Sequence, residues 1–267
     1  MSLKPGCRFT VAPRFHITGD WSRRLLIGSG VDELDGDFVP RDSWRHPTAG
    51  ELSMLIAGGE ETAVQPHGCA CLFTLPEHLR THWWKVLEAA ANTRAEGQLP
   101  GFDSFALAVR EMLEFKGMPP PDDAYFGVTL TDAAQRPKNT RTRHPGGLLG
   151  NLTSQSGPTP ESANPAATPW ALVNLGDADT SVVLINLTVL QLLEEMPRDR
   201  SDRVATANPA EIAERFFRER GDYPPVRLIL EPGHGCRFPD QPMVLDGYLA
   251  DQPEPDVQLF ILRDTPA

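Results

Sequence analysis

The chain has 267 residues, a formal net charge of -11, and 25 Lys and Arg against 36 Asp and Glu. That balance repels a phosphate backbone, and no cluster of basic residues interleaved with aromatics offers a nucleic-acid groove, so nucleic acid is excluded as an expected partner. With 26 prolines and 22 glycines, the regular elements are expected to be short and frequently interrupted by turns.

The length suits one domain with an elaboration, and 1–267 is read as a single domain. The longest apolar run, Ser181 to Leu193, is broken by Asn186, Thr188 and Gln191 and falls short of the about 20 apolar residues that cross a bilayer. Residues Met1 to Pro13 lack the pattern of an export signal, so a soluble, cytoplasmic protein is expected. Cys7, Cys69, Cys71 and Cys236 are scattered and read as reduced thiols. Asn151-Leu152-Thr153 and Asn186-Leu187-Thr188 match the glycosylation acceptor pattern but are discounted without a secretory route.

In chain order, Cys7 to Val11, Arg24 to Ile27, Leu52 to Ala57 and Cys69 to Thr74 read as short strands. The acidic stretch Asp32 to Asp37 lacks the ligand spacing of a calcium loop and reads as a solvated turn. A helix is predicted over 74–96, capped by Thr74 with Glu77 three residues on, and with Leu79, Trp83, Val86, Leu87 and Ala90 along one face. A second is predicted over 103–116, with Asp103 as N-cap and Gly117 as its stop.

Tyr125 to Leu130 reads as a strand. Beyond it, residues 151–169 are so poor in apolar side chains that they read as a flexible loop or linker, taken here as an excursion from the single domain. Trp170 to Leu175 and Ser181 to Leu187 are apolar runs joined by a Gly- and Asp-rich turn, which predicts a β-hairpin. Helices over 188–196 and 208–220 follow, the first with Thr188 and Gln191 as a capping box, the second ended by Gly221. The chain then returns to strands at Val226 to Leu230, Cys236 to Phe238, Met243 to Leu245 and Val257 to Leu262.

Several clusters carry potential chemistry. His67, Cys69, Cys71, His78 and His82 are compatible with zinc, but the short connection between strand and helix strains a tetrahedral arrangement, so buried thiols and surface imidazoles are the better reading. Gly28-Ser29-Gly30 has neither the third glycine nor the following helix of a phosphate loop. His234 and Cys236 share a face of an extended segment without a third orienting group, so Cys236 reads as structural. Asp177 and Asp179 sit in one turn and could serve metal or acid/base chemistry, although turn aspartates commonly bond their own backbone.

The order Leu230-Glu231-Pro232-Gly233, a strand through Arg237, Val244-Leu245-Asp246-Gly247 and Val257 to Leu262 resembles the closing strands of the 2-oxoglutarate/Fe(II) oxygenase-like double-stranded β-helix. The resemblance spans about Val226 to Arg263 and, more loosely, Trp170 to Leu187. It implies an α+β fold with a jelly-roll-like β core and flanking helices. It also implies a small-molecule oxygenase in which iron activates dioxygen while 2-oxoglutarate supplies two electrons.

The chain departs from that family where the chemistry lies: it contains no His-x-Asp or His-x-Glu, and Leu245 and Asp246 stand where the later metal-binding His would be. The metal site is therefore either lost or rebuilt, with Asp177, Asp179, His234 and Asp246 as candidate ligands and Arg237 as the clamp for a substrate carboxylate. The rival expectation is a non-catalytic binding or assembly protein on a metal-free scaffold, with a small molecule or a protein as its partner.

Overall fold

The computed structural model describes residues 2–12, 14–15, 17, 20–34, 37–41, 43–57, 68–92, 99–131, 168–196, 209–241, 243–248 and 254–263. Its elements are β1 (Arg8–Val11), α1 (Trp21–Arg24), β2 (Leu25–Ile27), β3 (Val31–Leu34), β4 (Asp37–Pro40), α2 (Ala49–Leu55), β5 (Cys69–Thr74), α3 (Glu77–Asn92), α4 (Phe102–Phe115) and β6 (Tyr125–Thr131). The second half adds β7 (Thr168–Asn174), β8 (Thr180–Thr188), α5 (Val189–Glu195), α6 (Pro209–Arg220), β9 (Val226–Leu230), β10 (His234–Arg237), β11 (Met243–Gly247) and β12 (Asp256–Arg263). The class is mixed α+β, as expected.

Two larger sheets carry the architecture. The first has the order β1-β5-β10-β7-β12-β6, the second β11-β8-β9-β2, and β3 pairs with β4 alone. All pairings are antiparallel except β1 with β5.

The strand period of two decides how the layers stack. Along β5, Ala70 and Leu72 join one apolar cluster with the second sheet, while Cys69, Cys71 and Phe73 join another with α3 and α4. The first sheet is thus covered on both faces, which is why Cys69 through Phe73 are all buried. Leu79, Trp83 and Val86 of α3 and Phe105, Val109 and Leu113 of α4 form the helical side of the second cluster. Those positions recur at three and four residues, the spacing that predicts these helices.

Several sequence expectations need correction. Leu52 to Ala57 is not a strand: Leu52 to Leu55 lie in α2, whose Thr48 hydroxyl accepts from Glu51 N while the Glu51 carboxylate accepts from Thr48 N at 2.8 Å. The capping box, with the first turn it fixes, overrides the local apolar run. Helix α3 starts at Glu77, and Thr74 ends β5 rather than capping the helix. Helix α4 starts one residue early, and its N-cap is Gly101 in the left-handed region at φ 84°, not Asp103. The acidic stretch is not a simple turn, since Val31–Leu34 pairs with Asp37–Pro40.

The larger correction concerns Trp170 to Leu187. Strands β7 and β8 follow one another but do not pair: β7 lies between β10 and β12, and β8 lies between β9 and β11. The turn between them carries the chain from one sheet to the other. Thr188 and Gln191 do form the predicted capping box of α5, and Gly117 takes a positive φ of 79° just past α4. Residues 151–167 lie outside the described residues, whereas Thr168 and Pro169 open β7.

No helix among the described residues is long and apolar enough to cross a membrane. All four cysteines are free and buried.

Candidate functional site

The space between the two sheets is where a pocket of this architecture would lie, so its lining comes first. Two side chains show which faces look inward. Gln258 Nε2 on β12 donates to Thr180 Oγ1 on β8 at 2.9 Å, and Asn174 Nδ2 on β7 donates to the Leu230 carbonyl at 2.8 Å. Thr180, Val182 and Leu184 therefore face the first sheet, with Leu230, Leu228 and Val226 opposite them on β9 and Leu245 opposite Leu184 on β11. From the first sheet, Leu72, Leu172 and Cys236, which are cross-strand neighbours, face back. All of these apolar side chains belong to one buried cluster. The middle of the inter-sheet space is packed with aliphatic groups.

One end of it is polar. There Asn174, Thr180, Gln258 and His234 meet the turn that joins β7 to β8. Asn174 organises this end: its Nδ2 also donates to the Ala178 carbonyl at 2.8 Å, and its Oδ1 accepts from Gly176 N at 2.9 Å. Gln258 Nε2 further donates to Asp256 Oδ2 at 2.8 Å.

Register parity assigns each candidate residue its side. Asp177 and Asp179 are exposed in the 175–179 connection. His234 shares a face with Cys236 and so lies on the inter-sheet side, at the polar end, near enough to Asp179 to feel its charge. Arg237 points the other way. It shares a row with Cys71 and Ala171, its guanidinium lies 5.7 Å from the Trp170 ring centroid, and its Nη2 is 3.5 Å from Asp240 Oδ1. Asp246 stands opposite Val183, on the face of the second sheet turned away from the first, and its Oδ1 accepts from Gly247 N at 2.7 Å. Asp179 and His234 lie at the same end of the inter-sheet space, whereas Arg237 and Asp246 lie on two other faces.

Among the described residues, no three His, Cys, Asp or Glu side chains gather as metal ligands. His67 lies outside the described residues. Cys69 and Cys71 are buried under the helices, and His82 faces the Ser104 hydroxyl at 3.3 Å with its ring edge-on to Phe105. Burial pushes the Cys236 thiol well above its ordinary range, and the thiol donates to the Arg237 carbonyl at 3.6 Å, so it is no nucleophile.

Two further residues complete the polar end. Arg24, at the last position of α1, is 5% exposed, and its Nη2 lies 2.9 Å from Glu231 Oε1. His234 Nδ1 lies 3.6 Å from Glu231 Oε2. The imidazole is held below its ordinary pKa, first by burial and then by the Arg24 charge, with Glu231 and Asp179 opposing. The Arg24 side chain thus pairs with the turn that links β9 to β10, which belong to different sheets. Its position at a helix-to-strand junction carries no motif, so only the tertiary fold reveals it.

The fit of an iron centre to these residues is poor. Asp177 and Asp179 are exposed in a turn, His234 lies at the polar end of the inter-sheet space, and Asp246 faces away from it on the second sheet. No family model, curated protein or solved structure matches the chain.

Proposed function

We propose that this chain is a non-catalytic binding or assembly protein on a jelly-roll-like scaffold whose metal site has been replaced by apolar packing. The jelly-roll part of this reading is supported by strand order. From β7 to β12 the chain passes from the first sheet to the second, lays down β8 and, after α5 and α6, its antiparallel neighbour β9 there, and then alternates first, second, first. Such alternation between two face-packed antiparallel sheets is the signature of jelly rolls.

The observation that carries the metal-free reading is Leu245. Leu245 and Asp246 stand about where the family resemblance puts a metal-binding His; Leu245 is buried opposite Leu184 in the cluster between the sheets, and Asp246 is turned to the other face. An aliphatic side chain there offers no ligand, and it fills the space with the neighbouring Leu184 and Val226. The net charge of -11 directs the partner search to small molecules or proteins rather than nucleic acid.

Strand order favours one rival, an oxygenase acting through unorthodox ligands such as Asp179 and His234. Anaerobic titration of the purified chain with Fe(II) and 2-oxoglutarate separates the two. The metal-free reading expects neither stoichiometric iron nor a charge-transfer band in the visible spectrum; a saturable band would establish the rival.

A further inference from the structure

Arg24, His234 and Glu231 form an arrangement that the scaffold does not require. The Arg24 side chain is 6% exposed, and its Nη1 is buried without a hydrogen-bond partner while Nη2 pairs with Glu231. His234 Nδ1 is also buried and makes no well-formed hydrogen bond, its polar neighbours being the Glu231 backbone and, at 3.6 Å, the other oxygen of the same carboxylate. A guanidinium fork is built to engage a carboxylate through two parallel N–H groups, and here it uses one. A buried nitrogen left unspent costs stability, and two of them around one carboxylate ask for a second acceptor.

Glu231 is only loosely committed. Its side chain is 48% exposed, and it sits in the Glu231-Pro232-Gly233 turn between β9 and β10, where Gly233 takes a positive φ of 76°. A half-exposed carboxylate on a turn can swing into solvent without disturbing either sheet.

We propose that Arg24 and His234 form a binding site for a small carboxylate ligand, which Glu231 fills as an exchangeable internal stand-in. An external carboxylate spans both Arg24 nitrogens and receives the His234 Nδ1 proton, satisfying the two unspent groups at once. A monoanion suits the site better than a phosphate dianion, because the Asp179 charge already acts on His234 and disfavours further negative charge. Glu231 competes at the high effective concentration of a tethered group, so the resting chain binds weakly and is relieved when Glu231 leaves. The inference names a ligand class for the proposed binding protein, yet it does not rest on the absence of iron and stands or falls separately.

The charged groups acting on His234 are Arg24, Glu231 and Asp179. A carboxylate seated beside the imidazole favours its protonated form, so binding is read directly from the ring. The test titrates sodium acetate into the wild-type chain, Glu231→Gln, Glu231→Gln with Arg24→Lys, and Glu231→Gln with His234→Gln, with chloride-matched controls for ionic strength. NMR of the His234 ring follows the first three, and backbone amide shifts near Gly233 follow the last.

Glu231→Gln is expected to bind acetate with at least about tenfold higher affinity than wild type, with the His234 pKa rising on saturation. Either second substitution is expected to weaken that binding about tenfold or more. The His234→Gln arm keeps the test informative should the Arg24 variant misfold. A Glu231→Gln chain whose His234 ring responds to acetate no more than to chloride overturns the proposal, as does undiminished affinity in a folded double variant.

Discussion

Gln258 and Thr180 join the two sheets directly: the Gln258 amide donates to the Thr180 hydroxyl at 2.9 Å across the inter-sheet space, with both side chains buried. This contact fixes which face of β8 looks inward and hence the side on which Leu184 and Leu245 pack. Gln258→Ala strands the Thr180 hydroxyl and removes a donor from Asp256. The expected loss is about 2 kcal/mol of unfolding free energy by urea titration. A change below about 0.5 kcal/mol would show that the link carries no weight.

Helix α2 depends on a local device. Thr48 caps it through Glu51 N, and Glu51 in turn receives Arg45 Nη1 and Nη2 at 2.7 and 2.6 Å. These hydrogen bonds, led by Arg45, hold the Glu51 carboxyl down to about 2. Thr48→Ala is expected to cost about 1 kcal/mol by denaturant titration at neutral pH. Because the folded pKa is depressed, the contribution of Glu51 is present above its ordinary value of 4.5 and fades as pH falls toward about 2. Acid unfolding of Glu51→Gln should therefore be less steep below pH 4.5 than that of wild type.

His234 gives a second pH signature, in a higher window. Burial and Arg24 hold its pKa below the ordinary 6.5, so the unfolded chain takes up a proton that the folded chain resists. Stability from this group is complete above pH 6.5 and is lost as pH falls through the depressed folded value. Denaturation midpoints measured from pH 7.5 down to 5, before most carboxylates titrate, should fall for wild type and stay flatter for His234→Gln. Equal slopes for the two would mean that His234 is not buried as described.

Tyr223 tests the packing of the N-terminal segment. Its buried hydroxyl donates to Asn186 Oδ1 at 2.8 Å and accepts from Lys4 N at 3.2 Å, while Asn186 Nδ2 donates to the Lys4 carbonyl at 2.8 Å. Tyr223→Phe leaves the Asn186 oxygen and the Lys4 amide short of a partner. The expected cost is about 1–3 kcal/mol, with faster amide exchange at Lys4.

Much of this fold is legible in the sequence, and what is not has a physical reason. The stripes Leu79, Trp83, Val86 and Phe105, Val109, Met112 fix α3 and α4 because helical spacing is set locally. The segment around Leu52 misleads because a short apolar run serves strand and helix equally, although Thr48 and Glu51 carry the cap that decides it. Turn residues after Leu175 announce a reversal but not the sheet in which the next strand will pair, so β7 and β8 read as a hairpin. The site residues suffer most. Sequence supplies the chemistry of Arg237, Asp246 and His234, whereas one residue of register sends each to a different face. Arg24 is invisible until the fold carries α1 to the end of β9.

The proposed metal-free reading rests centrally on Leu245, which with Asp246 stands about where the family resemblance puts a metal-binding His, being part of a packed core. Leu245→Ala, measured by equilibrium urea unfolding, tests it most directly. A residue wedged between two sheets opposite Leu184 should cost about 2–5 kcal/mol when truncated. A loss under about 1 kcal/mol would mean that Leu245 borders open space, and the packed, metal-free core would be contradicted.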